Sequence, residues 1–156
     1  MSPLFGHKDQ SERADQENPA LRAEYERLNA LPIPQLAAEV MRKGFGPGGP
    51  GADDDNVTVG QQNAHAGPDA YDIAYQFVSY ESKPFGSPSA DEILFRHIVR
   101  LVAEGLQELE HASLVRAQMH TDSGSLDYAT TRTGRAALTS GELETILGVA
   151  QSPPAQ

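Results

Sequence analysis

The chain holds no cysteine among its 156 residues. That absence excludes disulfides, thiolate metal sites and a cysteine nucleophile. Hydrophobic residues are also scarce, at 38% of the chain, below the globular average. No run of them is long enough to span a bilayer. The opening, with Leu4 and Phe5 among polar residues, has no apolar core of signal-peptide length, so the expectation is a cytoplasmic protein without a membrane role. Neither half is basic, and the formal net charge is -10. Such a balance repels nucleic acid unless a local basic patch overrides it.

What is present suffices for one domain with a real core plus unstructured pieces. Residues 1–17 are polar and read as a disordered tail. Asn18 followed by Pro19 is a helix start, an N-cap with proline at the first helical position. Leu21, Tyr25 and Leu28 then recur on one face, predicting a helix to about Leu31 that Pro32 stops. Pro34 begins a second helix with Leu36, Val40 and Met41 inward; Arg42 and Lys43 complement its dipole and Gly44 closes it.

Residues 44–68 are rich in glycine, proline and aspartate, which prevents regular structure and favours mobility. Only Val57, Thr58 and Val59 suit a short strand. Asp69 caps a helix predicted to reach about Tyr80; with Tyr71, Ile73, Ala74, Tyr75, Phe77 and Val78 it reads as core. Ser89 and Glu92 form a capping-box pattern. The helix they open carries Leu94, Ile98, Leu101, Val102, Leu106 and Leu109 as an apolar stripe to about Ala112. Gly105 inside it costs about 1 kcal/mol relative to alanine, which close packing against another element would explain.

After that helix Val115, Ala117 and Met119 alternate with Arg116, Gln118 and His120. A turn at Thr121, Asp122, Ser123 and Gly124 leads into Leu126, Tyr128 and Thr130, so the pattern is a hairpin. Thr131 caps a short helix ending near Leu138. Thr139 and Glu142 are spaced as a second capping box for a last helix closed by Gly148, and residues 149–156 form a tail.

Residues 106–138 resemble the second half of winged-helix domains in PadR-type and related bacterial regulators. There a leucine-rich helix end with a glutamate leads into strand, wing, strand, and then a tyrosine, a threonine and a Gly-Arg pair. The matching positions are Leu106, Leu109, Glu110, Leu114, Val115, Tyr128, Thr131, Gly134, Arg135 and Leu138. Ser113 stands where the family has glycine, and Thr130 where it has leucine. The resemblance implies a mainly α fold with a small β-hairpin wing (α+β), an elaborated winged-helix domain. Residues 18–148 then form one domain: N-terminal helices (18–43), a flexible loop (44–68) and a winged-helix core (69–148). Two departures stand out. The loop is too long for a minimal domain, and the Ser89 helix is nearly twice the usual recognition length, with no turn between Phe95 and Val99 to split it.

A recognition helix needs bases where it meets phosphates. The exposed positions in the second half of the Ser89 helix are Arg100, Glu104, Gln107, Glu108, Glu110 and His111, where carboxylates dominate. The hairpin offers Arg116, Gln118 and His120, with Arg132 and Arg135 just beyond, a modest basic face.

Other motifs are weaker. Gly44, Gly46 and Gly49 spell a dinucleotide-type glycine pattern, but a helix precedes it and Pro50-Gly51 follows, so chance is the better reading. Asp53, Asp54, Asp55 and Asn56 suggest Ca²⁺, yet the glycine and glutamate required downstream are missing. Glu104, Glu108 and His111 share a helical face but lack a second metal-binding helix. His97 reads as packed or partly buried rather than ligating. No triad, nucleophile elbow or phosphate loop appears.

The resulting expectation is a protein that is not an enzyme and needs no cofactor or metal. It is a winged-helix interaction module for a protein partner or a second copy, with Arg100, Arg116, Gln118, His120, Arg132 and Arg135 as the candidate surface. The alternative is a DNA-binding regulator using the wing, which the charge disfavours.

Overall fold

A computed structural model describes residues 17–52, 67–81, 88–119 and 126–149. The fold is mainly helical with one antiparallel hairpin, in the order α1 (Pro19–Asn29), α2 (Ile33–Phe45), α3 (Ala70–Ala74), α4 (Ala90–His111), β1 (Val115–Met119), β2 (Leu126–Thr130), α5 (Arg132–Ser140) and α6 (Leu143–Ile146). Among the described residues no helix is long and apolar enough to cross a membrane.

α4 is the element on which α1, α2 and α3 pack. Its 22 residues form one unbroken helix, about 33 Å long at 1.5 Å per residue. Leu94, Phe95, Ile98, Val99, Val102, Gly105, Leu106 and Leu109 are its buried face, while Leu101 is half-buried. Gly105 meets α2: a Cβ there would lie 2.8 Å from Val40 Cγ2. Close packing is therefore what the helix gains for the propensity it loses.

Polar contacts set the entry angles. Asn18 Oδ1 accepts from Ala20 N at 3.0 Å, and Asn18 N donates to Asp91 Oδ1 at 2.7 Å, joining the starts of α1 and α4. Arg27 bridges Glu24 of α1 and Glu39 of α2 at 2.8 and 2.7 Å. Arg42 of α2 pairs with Glu144 of α6.

Several elements differ from the sequence expectation. α2 runs through Gly44 to Phe45, because Phe45 completes the buried face and Ile73 lies against the bare Gly44 backbone. Residues 46–52 fold back on that helix end, with Gly51 N donating to Gly44 O at 2.7 Å and Gly49 N to Gly46 O at 2.9 Å. α3 stops at Ala74, six residues short of Tyr80. Gln76 N bonds Ile73 O and Phe77 N bonds Ala74 O, a tightened turn. The turn frees Tyr80 to stack on Phe95 with centroids 4.7 Å apart, beside Tyr75 at the same distance. Aromatic residues have little intrinsic helix preference to resist this. Only Ile73 and Ala74 of α3 are buried, whereas Tyr71 and Tyr75 are exposed.

Capping also redistributes. Asp69 and Asp72 form a full capping box. Ser89 Oγ accepts from Glu92 N at 3.2 Å, but the Glu92 carboxylate turns to Arg96 at 2.6 Å. Thr139 does not cap the last helix. It stays inside α5, its hydroxyl donating to Arg135 O at 3.0 Å, and Gly141 ends α5 in the left-handed region at φ 76°. Residues Val57, Thr58 and Val59, the Asp53 to Asn56 acids and the hairpin turn lie outside the described residues.

At the end of α4 the chain makes a Schellman turn: Ser113 N donates to Glu110 O at 2.9 Å and Leu114 N to Leu109 O at 2.8 Å. Ser113 takes φ 60°, a conformation glycine adopts without cost. Gly134 of α5 then presses on this turn so closely that a Cβ would sit 2.0 Å from Leu114 O. We expect Gly134→Ala to lower stability in urea unfolding by about 2 kcal/mol or more, since backbone must move. Gly105→Ala should cost less, about 1 kcal/mol, because Val40 can shift and helix propensity improves. Equal stability of Gly134→Ala and wild type would contradict this packing.

Candidate interaction surface

The hairpin is placed by its neighbours. Val115 pairs with Thr130, Ala117 with Tyr128 and Met119 with Leu126; the alternate pairs are Arg116 with Ala129 and Gln118 with Asp127. Ala117 N points away from β2 and donates to Glu110 Oε1 of α4 at 3.3 Å. Tyr128 N points the other way and donates to Pro68 O at 2.9 Å. Segment 67–68 thus runs along the outer edge of β2, with Gly67 against the Tyr128 carbonyl. From Asp127 to Thr130 every residue of β2 is buried, whereas Leu126 at its start is not.

Thr131 fastens the other end. Its N–H donates to Leu114 O at 3.0 Å and its hydroxyl to Ser113 O at 2.7 Å. The same oxygen accepts from Gly134 N at 3.0 Å, capping α5. So Glu110, Ser113, Thr131 and Gly134 each have a structural task.

The candidate residues fall into separate groups. Arg116 and Gln118 share the outward face of β1. With its amide oriented to suit both partners, Gln118 Oε1 accepts from Arg116 Nε at 3.2 Å and Nη2 at 3.1 Å. Arg132 and Arg135 are exposed in the first turn and a half of α5. A cation at Arg132 opposes the helix dipole there. His120 lies outside the described residues. Arg100 is not part of either group, since it stands about 16 Å along the α4 axis from His111. Glu104, Gln107 and Glu108 occupy the face between them.

The expectation that His97 is packed or partly buried does not hold. It is exposed, with its ring 5.8 Å from Tyr25. Among the described residues no group of three or more His, Asp or Glu side chains is placed to hold a metal ion.

The alternation of β1 hid one feature. Met119 and Leu126 lie on the face that turns toward the core at Val115, yet they project past it and are 73% and 45% exposed. An alternating pattern gives the face but not how far the core extends beneath it.

No family model, curated protein or solved structure matches this chain.

Burial, and secondarily the Glu110 carboxylate, pushes the Tyr128 phenol pKa above its ordinary value. The fold therefore favours protonated Tyr128. This stabilisation is fully present below the ordinary tyrosine pKa near 10 and is lost as pH rises through the folded value. Thermal midpoints measured from pH 8 upward should fall steeply above about pH 10, and Tyr128→Phe should make that fall shallower. Some alkaline loss should persist, because burial raises the Tyr80 pKa too. An unchanged alkaline slope in Tyr128→Phe would contradict the assignment.

Proposed function

We propose that this chain is a non-catalytic winged-helix module that docks on a protein, through the outer face of α4 and the hairpin acting as wing. Support for the fold reading comes from the element order and from segment 67–68 hydrogen-bonded beside β2. In a winged helix a short strand before the second helix occupies such a place. The left-handed Ser113 at the position where the resembled family has glycine adds to it.

The observation that carries the functional reading is the sign of the charge ahead of the wing. The half of α4 that would enter a groove exposes Glu104 and Glu110, with Glu108 half-exposed. Carboxylates there oppose phosphate contact, whereas they suit a basic or mixed protein surface.

A second reading as a DNA-binding regulator is favoured by Arg116, Gln118, Arg132 and Arg135 on the hairpin and α5. Fluorescence anisotropy with mixed-sequence duplex at low salt separates the two. We expect no saturable binding. Binding whose salt slope flattens in Arg116→Ala/Arg132→Ala would establish the DNA reading instead. The positive test is a photo-crosslinker at position 116 or 118 in cells expressing the full chain, where a discrete protein adduct is expected. Absence of any adduct from either position would count against the docking reading.

A further inference from the structure

The outer face of α4 is self-complementary in charge when read in opposite directions. Arg96, His97 and Arg100 lie on it toward the first half, and Glu104, Gln107 and Glu108 toward the second. Arg100 and Glu104 are equidistant from Val102, as are Arg96 and Glu108, and as are His97 and Gln107. At 100° per residue all six fall within one exposed stripe. A two-fold axis at the level of Val102 sets Arg100 of one copy beside Glu104 of a second. It also sets Arg96 and His97 beside Gln107 and Glu108. Each contact occurs twice, as an isologous interface requires. Antiparallel helices also oppose their dipoles favourably. A parallel arrangement would place Arg100 on Arg100 and Glu104 on Glu104.

Among the described residues, α1 leaves the charged positions of this face open. The Tyr25 ring of α1 lies 5.8 Å from that of His97, and His97, Arg100, Glu104 and Gln107 remain exposed. Among the described residues Arg100 forms no ion pair; Arg96 pairs with Glu92 along its own helix.

We propose that the partner is a second copy of this chain, paired antiparallel through the outer faces of the two α4 helices. This rests on the docking reading above and deepens it by naming the occupant. Exposed pairs each contribute little, so the dimer is held by several of them and is sensitive to salt.

Sedimentation equilibrium over a concentration series tests it with the full chain. A monomer–dimer equilibrium is expected at low salt, weakened roughly tenfold in 0.5 M NaCl. Arg100→Glu replaces two attractive pairs by two repulsive ones and should weaken the dimer roughly tenfold or more. The charge swap Arg100→Glu/Glu104→Arg should restore it, and circular dichroism melts confirm that each exposed-site variant is folded. A monomer at every concentration overturns the proposal. So does a dimer indifferent to Arg100→Glu, or a swap that fails to restore pairing. If pairing fails but the position 116 or 118 crosslinker still captures a different protein, only the self-pairing is lost; if both fail, the docking reading falls with it.

Discussion

The carbonyl of Leu114 is the point on which four elements depend. It accepts the Thr131 N–H at 3.0 Å, and the bare α-carbon of Gly134 stacks over it. Through this one group the end of α4, the start of β1, the end of β2 and the first turn of α5 are held together. Leu114 itself is completely buried, a side chain whose truncation to alanine costs about 2–5 kcal/mol at such sites. The left-handed Ser113 carries a strain of about 1–3 kcal/mol, offset by two Schellman hydrogen bonds and by that burial. Gly134 satisfies a steric demand; the turn before it satisfies a hydrogen-bonding one.

With that corner fixed, α4 becomes the axis of the molecule. Its inward face is apolar from Leu94 to Leu109, and its outward face is divided by sign of charge. Glu110, at the boundary, is used internally: its carboxylate accepts from Ala117 N and bears on the buried Tyr128 phenol. The same helix therefore positions the hairpin with one carboxylate and presents others to solvent. Among the described residues, this charge division is the feature that points outward from the fold.

Much of this was legible in the residues. Asn18-Pro19, the apolar period of α4 and the alternation of β1 and β2 each carry a local signal strong enough to survive packing. Gly105 announced a close approach, and Val40 supplies it. Other elements were decided by tertiary contacts that local pattern does not encode. α3 looked helical to Tyr80 because its aromatics are spaced for a helix, but stacking of Tyr80 on Phe95 favours a turn. Gly44 looked like a helix end because glycine so often is one, while here it makes room for Ile73. Thr139 matched a capping spacing but bonded backward to Arg135 inside α5. For the candidate surface, sequence gave the residues but not their grouping. Arg100 was grouped with Arg116 although Glu104, Glu108 and Glu110 stand between them, and the alternation could not tell that Met119 and Leu126 overrun the core.

Native-state amide hydrogen exchange at Tyr128 and Thr131 tests the central claim most directly. Tyr128 N–H reaches Pro68 O and Thr131 N–H reaches Leu114 O, so both amides should open only with the buried residues of α4, sharing one free energy of exchange. Exchange of either amide at the rate of a frayed or solvent-exposed group, while Val102 and Leu106 stay protected, would contradict an architecture built on that corner.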